Sequence, residues 1–217
     1  MKNDQQKKLD ILGSIERKDE HHIERHSTFL NRIKQGPIDL LFIGDSIIRR
    51  WVEFPDVWNY YSSKFNTANF GVGGDTIQNL RWRILNGELE GIKPKIIVLL
   101  IGTNNLPTHT GEEILKGIID IVGIIHDKQP DTKIILMGIL PRNPDNIKSD
   151  YMKTISFIND ELARLDEYKY IYFLDIGEKF IGKNGRVIEY LMPDGLHLVE
   201  PGYKIWVDYL LPIIEKI

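Results

Sequence analysis

The sequence predicts a doubly wound α/β domain built around a parallel sheet. Three features predict it. Five short, mostly apolar runs recur along the chain, and each stops abruptly at Gly, Pro or Asp. Stretches of helical character lie between them, so the order is strand, helix, strand. The runs do not alternate apolar with polar, which calls for burial on both faces, as in a sheet lying between two helical layers.

Residues 5–35 come first. They are polar and helix-friendly, with Ile11, Ile15, Ile23, Phe29, Leu30 and Ile33 as sparse apolar positions. One or two amphipathic helices are expected there, ended by Gln35-Gly36-Pro37. The first strand is expected over 38–43, stopping at Gly44, and a weaker second over 67–70, stopping at Gly71. The third, 95–101 (KIIVLLI), stops at Gly102, and the fourth, 133–140 (KIILMGIL), stops at Pro141. The fifth, 170–174, stops at Asp175. Helices are expected over 76–85, 112–126 and 147–165. A last one starts near Pro201, a residue suited to a first turn, and Pro212 is expected to kink or end it. There are no internal repeats and no linker. The expected organisation is one domain: a helical N-terminal segment, 1–36, packed on a body of 37–217.

Composition narrows the function classes. At 217 residues, 42% apolar, 27% charged and net charge −3, the chain lacks the basic stripe of a nucleic-acid binder. With no cysteine, thiolate nucleophiles, disulfides and cysteine zinc sites are excluded. No run of ~18 apolar residues suggests a membrane span. The first eight residues have no signal-peptide core, which makes the cytoplasm the default expectation.

In a doubly wound sheet, ligands gather at the carboxyl ends of the strands. Those ends carry Gly44-Asp45-Ser46, then Gly71-Val72-Gly73-Gly74-Asp75-Thr76, then Gly102-Thr103-Asn104-Asn105. Asp194-Gly195-Leu196-His197 stands near the C-terminus. Acyl transfer by a serine needs a base, an orienter for the base and donors for the oxyanion. Ser46 can be the nucleophile and His197 the base, with Asp194 holding the imidazole tautomer. The N–H groups of Ser46 and Gly74 and the amide of Asn104 can form the oxyanion hole. No metal or cofactor is called for.

These blocks, in this order, resemble those of the SGNH (GDSL-like) hydrolase family. Within that family, 69–105 (NFGVGGDTIQNLRWRILNGELEGIKPKIIVLLIGTNN) is similar to the catalytic subunits of the intracellular platelet-activating-factor acetylhydrolases. The stretch RHSTFLNRIKQGPIDLLFIGDS resembles their bacterial relatives. The resemblance spans roughly 25–212. It implies a flavodoxin-like three-layer α/β/α sandwich with a five-stranded parallel sheet, a metal-free esterase mechanism and a preference for short acyl groups, acetyl above all. It also admits a homodimer. Two departures bear on the substrate. Leu106 replaces a histidine of the mammalian subunits and is expected to line the pocket, and Pro193-Asp194-Gly195 differs locally from them.

Each residue also has a plainer reading. Ser46 can be a helix N-cap, Asp194 and His197 a surface loop pair, and Asn104 and Gly74 ordinary turn residues. The coincidence of four blocks favours catalysis. Asp45 is a pocket candidate, although bonding to nearby backbone is the commoner use of such an aspartate. His109, after the third strand, is a candidate for the pocket mouth. His22 and His26, four apart on a helix, can be a metal pair, but a solvated helix face is the stronger reading. Arg81 and Arg83 are expected in surface ion pairs, and Trp51, Trp58, Trp82 and Trp206 in the core or an interface. The expected substrate is a small-molecule ester, with an O-acetylated carbohydrate or other small polar alcohol ahead of a phospholipid. A nucleotide-binding module using 71–76 is a remote alternative, because the glycine fingerprint is incomplete and no Walker lysine follows. A catalytically idle interaction subunit is the other non-enzymatic reading.

Overall fold

The computed structural model describes residues 10–143 and 151–217. Five parallel strands form one sheet: β1 (Leu40–Gly44), β2 (Thr67–Gly71), β3 (Ile96–Leu100), β4 (Lys133–Met137) and β5 (Ile171–Leu174). Their spatial order is β2-β1-β3-β4-β5. That is the flavodoxin-like order, and its switch point lies between β1 and β3. The register pairs Gly44 with Gly71 on one side and with Leu100 on the other. The carboxyl ends of the three strands therefore finish level, and their loops share one rim.

The apolar runs divide between two cores, one on each face. Leu41, Ile43, Ile97, Leu99, Ile134 and Leu136 face one layer. Their neighbours Leu40, Phe42, Ile96, Val98, Leu100, Ile135 and Met137 face the other. This period of two explains why the central runs β1 and β3 carry no polar side chains. The first layer holds α1 (Glu20–Ile33), α4 (Ile77–Arg83), α5 (Gly111–Lys128) and α6 (Tyr151–Ala163). The second holds α2 (Ser46–Arg49), α3 (Pro55–Ser62) and α7 (Glu200–Lys216). In this second core Trp51 is fully buried, with the rings of Phe42, Tyr61, Tyr203 and Trp206 all within 5.6 Å of it. Trp58 and Trp82 are half-buried. Trp82 sits in the other layer, against the imidazoles of His22 and His26 on α1.

Local chemistry sets the helix limits. Asp19 caps α1 by accepting from His22 N–H at 3.1 Å. Thr110 and Glu113 form a reciprocal capping box at the start of α5. Pro55 opens α3 from a first-turn position, where a missing N–H costs nothing.

Several expectations need correction. Residues 10–19 are not helical. Gly13 closes a turn on Asp10 O, Ile15 N–H donates to Gln78 O, and the Asn79 amide donates to Ile15 O. The segment is an extended strap fastened along the start of α4, with Ile11 buried in the first core. Only one N-terminal helix follows it in the described residues. Helix α4 stops at Arg83 and passes into a wide turn, Ile84–Glu88. The fourth helix is described from Tyr151, so its expected start at 147–150 lies outside the described residues. Pro212 neither ends nor breaks α7, which continues to Lys216. Both Pro212 and Asp208 are exposed, so the carbonyl that loses its partner faces water.

Candidate active site

Strand β1 runs directly into the first functional residue. Gly44 has φ +156°, and a Cβ there would lie 1.9 Å from Leu100 O. Only glycine lets the chain turn out of the sheet so close to β3. Asp45 then caps α2, its Oδ1 accepting from Ile47 N–H at 2.9 Å. Ser46 is the first residue of that helix and is 7% exposed. The helix is held from both sides: Tyr203 O–H donates to Ile47 O at 2.6 Å, and the Asn69 amide donates to Ile48 O at 2.7 Å.

His197 reaches the serine from the opposite end of the chain. Ser46 Oγ lies 2.8 Å from His197 Nε2, and His197 Nδ1 lies 2.7 Å from Asp194 Oδ2. The other Asp194 oxygen accepts from the backbone N–H of Leu196 at 2.9 Å and of His197 at 2.7 Å. Partial burial acts against ionisation of Asp194. The two N–H groups and the imidazole outweigh it and hold the carboxyl at about 2. A charged Asp194 makes Nδ1 the donor, and this frees Nε2 to accept the serine proton.

The expected oxyanion donors lie on the neighbouring loops. Asn104, in the short 3₁₀ turn Thr103–Asn105 after β3, donates one amide N–H to Asp75 O at 2.9 Å. A second N–H on the same nitrogen remains for a ligand. Gly74 has φ +76°, and among the described residues its N–H makes no backbone hydrogen bond. The loop carrying Gly74 is anchored by a chain of buried charges. Asp75, Arg83 and Glu88 are each fully buried. Arg83 Nε donates to Asp75 Oδ2 at 2.7 Å, Arg83 also pairs with Glu88, and His26 Nδ1 is 2.8 Å from Glu88. A further Arg83 nitrogen donates to Gly44 O at 3.2 Å, linking the network to the end of β1. Burial works against the charge on Arg83, but Glu88 and Asp75 outweigh it and raise its pKa.

The three pocket candidates differ in their burial and partners. Asp45 has no exposed surface, so it faces no pocket. Burial, reinforced by the nearby Asp75 charge, outweighs the Ile47 N–H and Arg142 and pushes its carboxyl up to about 7. Leu106 is 6% exposed and packs into the first core. His109 is half-buried, with its ring nitrogens 3.2 Å from the Gln78 amide and 2.8 Å from Thr108 Oγ1. Two plainer readings also change. Arg83 is internal rather than a surface partner, whereas Arg81 does pair near the surface with Asp120 at 2.8 Å. His22 is 1% exposed and His26 bonds Glu88, so neither is on a solvated face.

Sequence reasoning missed Arg17, Asn105 and Arg142. Asn105 accepts from Ile77 N–H and donates to Gln78, and Arg142 donates to Thr103 O at 3.1 Å. A usable signal existed for Arg83: it continues the apolar stripe of Ile77 and Leu80, where an unpaired charge would be too costly to bury. Among the described residues, no cluster of three His, Asp or Glu side chains could hold a metal, and no helix is long and apolar enough to cross a membrane.

Ser46, His197 and Asp194 thus form one hydrogen-bonded series at the carboxyl rim of a parallel sheet. The chain belongs to the GDSL-like lipase/acylhydrolase family, whose model matches residues 42–205. It is an ester hydrolase. It is 37% identical over 187 residues to the rat platelet-activating factor acetylhydrolase IB subunit alpha2, covering 85% of this chain and 80% of that one. It is 34% identical over 180 residues to the rat alpha1 subunit, covering 82% and 75%. Among solved structures, a GDSL-like lipase from Bacteroides thetaiotaomicron superposes with a TM-score of 0.74 at 20% identity, covering 89% of this chain and 97% of that one. A variant of a Geobacillus acetyl-xylooligosaccharide esterase does so with 0.62 at 18%, covering 80% and 92%. At these identities the two structures bear on the fold.

Proposed function

We propose that the chain hydrolyses short-chain acyl esters, acetyl above all, through Ser46, His197 and Asp194. The observation that carries this reading is the continuous relay from Ser46 Oγ to His197 at 2.8 Å and on to Asp194 at 2.7 Å. His197 Nε2 takes the serine proton as Oγ attacks the ester carbonyl. The oxyanion is received by the N–H groups of Ser46 and Gly74 and the free N–H of Asn104. The protonated imidazole then gives its proton to the leaving alkoxide, and the alcohol departs. Water, deprotonated by the same nitrogen, attacks the acyl-enzyme and regenerates the serine.

The favoured alcohol is small and polar, such as an O-acetylated carbohydrate. A cavity of about 690 Å³ borders the catalytic loop at Pro193, and Asn143, Lys183, Asn184, Arg186 and Glu189 supply polar groups to its wall. A second reading, a phospholipid acetylhydrolase, is favoured by the names of the 37%-identical relatives. Wild type and Ser46→Ala assayed with p-nitrophenyl acetate, butyrate and octanoate test the chemistry. Best turnover of acetate and an inert variant are expected. Acetate release from acetylated xylo-oligosaccharide against an acetylated glycerophospholipid then separates the two alcohols. Equal rates for wild type and Ser46→Ala would remove Ser46 from the reaction.

A further inference from the structure

The strap of residues 10–19 crosses the start of α4 and brings Arg17 to the loop that carries Gly74. One guanidinium nitrogen donates to Gly73 O at 2.6 Å and to Asp75 Oδ1 at 2.9 Å. The other edge of the group is held by Asp19, at 2.9 Å and 3.2 Å. Asp19 is itself fixed as the N-cap of α1. A chain of bonds thus runs from the first turn of α1, through Asp19 and Arg17, to the carbonyl immediately before Gly74. Asp75 is completely buried and Arg17 is only 25% exposed, so this pair is less screened than a surface ion pair.

We infer that Arg17 is a positioning residue for the oxyanion hole. The peptide unit between residues 73 and 74 holds both the oxygen that Arg17 binds and the N–H that faces the reacting carbonyl. Because that unit is planar, fixing its oxygen fixes the direction of its N–H. The same loop receives the Asn104 amide through Asp75 O, so a second donor is referenced to the clamped segment. Asp75 also accepts from Arg83, so Arg17 is not the sole partner of that buried carboxylate. Arg17 touches no reacting atom. It acts by preventing rotation of the 73–74 peptide, and a hydrogen-bond donor contributes to catalysis only when it is aimed in advance.

The inference rests on the esterase reading, and the test separates the two. Wild type, Arg17→Ala and Arg17→Lys are compared for kcat and KM on p-nitrophenyl acetate, for thermal midpoint and for hydrogen–deuterium exchange at residues 73–76. Arg17→Ala is expected to lower kcat by ~10–100-fold, the scale of a misaimed donor. KM should stay within about threefold, and faster exchange should be confined to 73–76. Arg17→Lys, which keeps a cationic donor, should recover a substantial part of kcat. A kcat within about threefold of wild type for Arg17→Ala would overturn the inference, as would unchanged exchange at 73–76. If Ser46→Ala proves as active as wild type, the esterase reading falls, and the exchange data alone decide the clamp.

Discussion

On one side of Ser46, Asp75, Arg83 and Glu88 are wholly buried and interlocked. On the other, Asp194 leaves 54% of its side chain exposed and His197 leaves 23%. The two sides have different tasks. Charge develops on the carbonyl oxygen, and donors there act best when fixed and dry. In the proposed mechanism a proton passes from serine to the leaving alcohol, and a second passes from water back to serine, which requires an edge open to solvent and to the leaving group. The buried side is held by ion pairs, whose loss should show as instability. The exposed side is held by hydrogen bonds to one loop, whose loss should show in rate alone.

The largest expected effect tests the exposed side. Asp194→Asn should lower kcat by ~10⁴, the scale set by loss of the correct imidazole tautomer. Its denaturation midpoint should stay close to wild type, because the group is half-exposed. A large loss of stability would erase the contrast between the two sides. Arg83→Ala tests the other side. It takes the shared arginine from two buried carboxylates, leaving Asp75 with Arg17 and Glu88 with His26, and urea titration should register a loss of about 3–5 kcal/mol. A loss below ~1 kcal/mol would mean that the network does not anchor the loop.

Asn104→Ala should reduce kcat by ~10²–10³ with little change in KM. A drop under about threefold in the folded variant would remove Asn104 from the oxyanion hole. The last test concerns Asp45. Its folded carboxyl titrates at about 7 because it is buried, whereas an unfolded aspartate titrates near ~3.9. The native state therefore holds the proton longer. The stability linked to that proton is fully present below ~3.9 and is lost as pH rises through about 7. Asparagine keeps the cap without the charge. Asp45→Asn should thus gain in melting temperature relative to wild type between pH 4 and 7, and a difference that stays flat would refute the linkage. Asp194, by contrast, keeps its charge down to about pH 2.

The sheet was legible because its central strands are buried on both faces and each run ends in a residue that breaks it. Strands β2 and β5 could be placed almost to the residue. Three of the four polar blocks were legible because they stand directly after the ends of β1, β2 and β3. What escaped was whatever depends on contacts distant in sequence. Arg17 lies 58 positions from the carboxylate it binds, and nothing in its own neighbourhood marks that partner. Arg83 looked like a surface residue because its compensating charges, Asp75 and Glu88, come together only when α4 has packed. The strap looked helical because its apolar spacing suited a helix, yet its backbone is satisfied by α4 instead. The packing of Leu106 escaped for a similar reason: its partners in the first core come from elements distant in sequence.

The placement of the tryptophans has a spectroscopic consequence. Trp51, Trp58 and Trp206 all lie in the layer of α2, α3 and α7, whereas Trp82 lies across the sheet with its ring 4.9 Å from the imidazole of His26. Imidazoles quench indole emission. In a chain whose other three indoles are replaced by phenylalanine, the remaining fluorophore would report whether the first helix is seated, and lifting that helix would brighten and red-shift the signal. Trp82 fluorescence is thus an optical readout of how the first helix packs on α4.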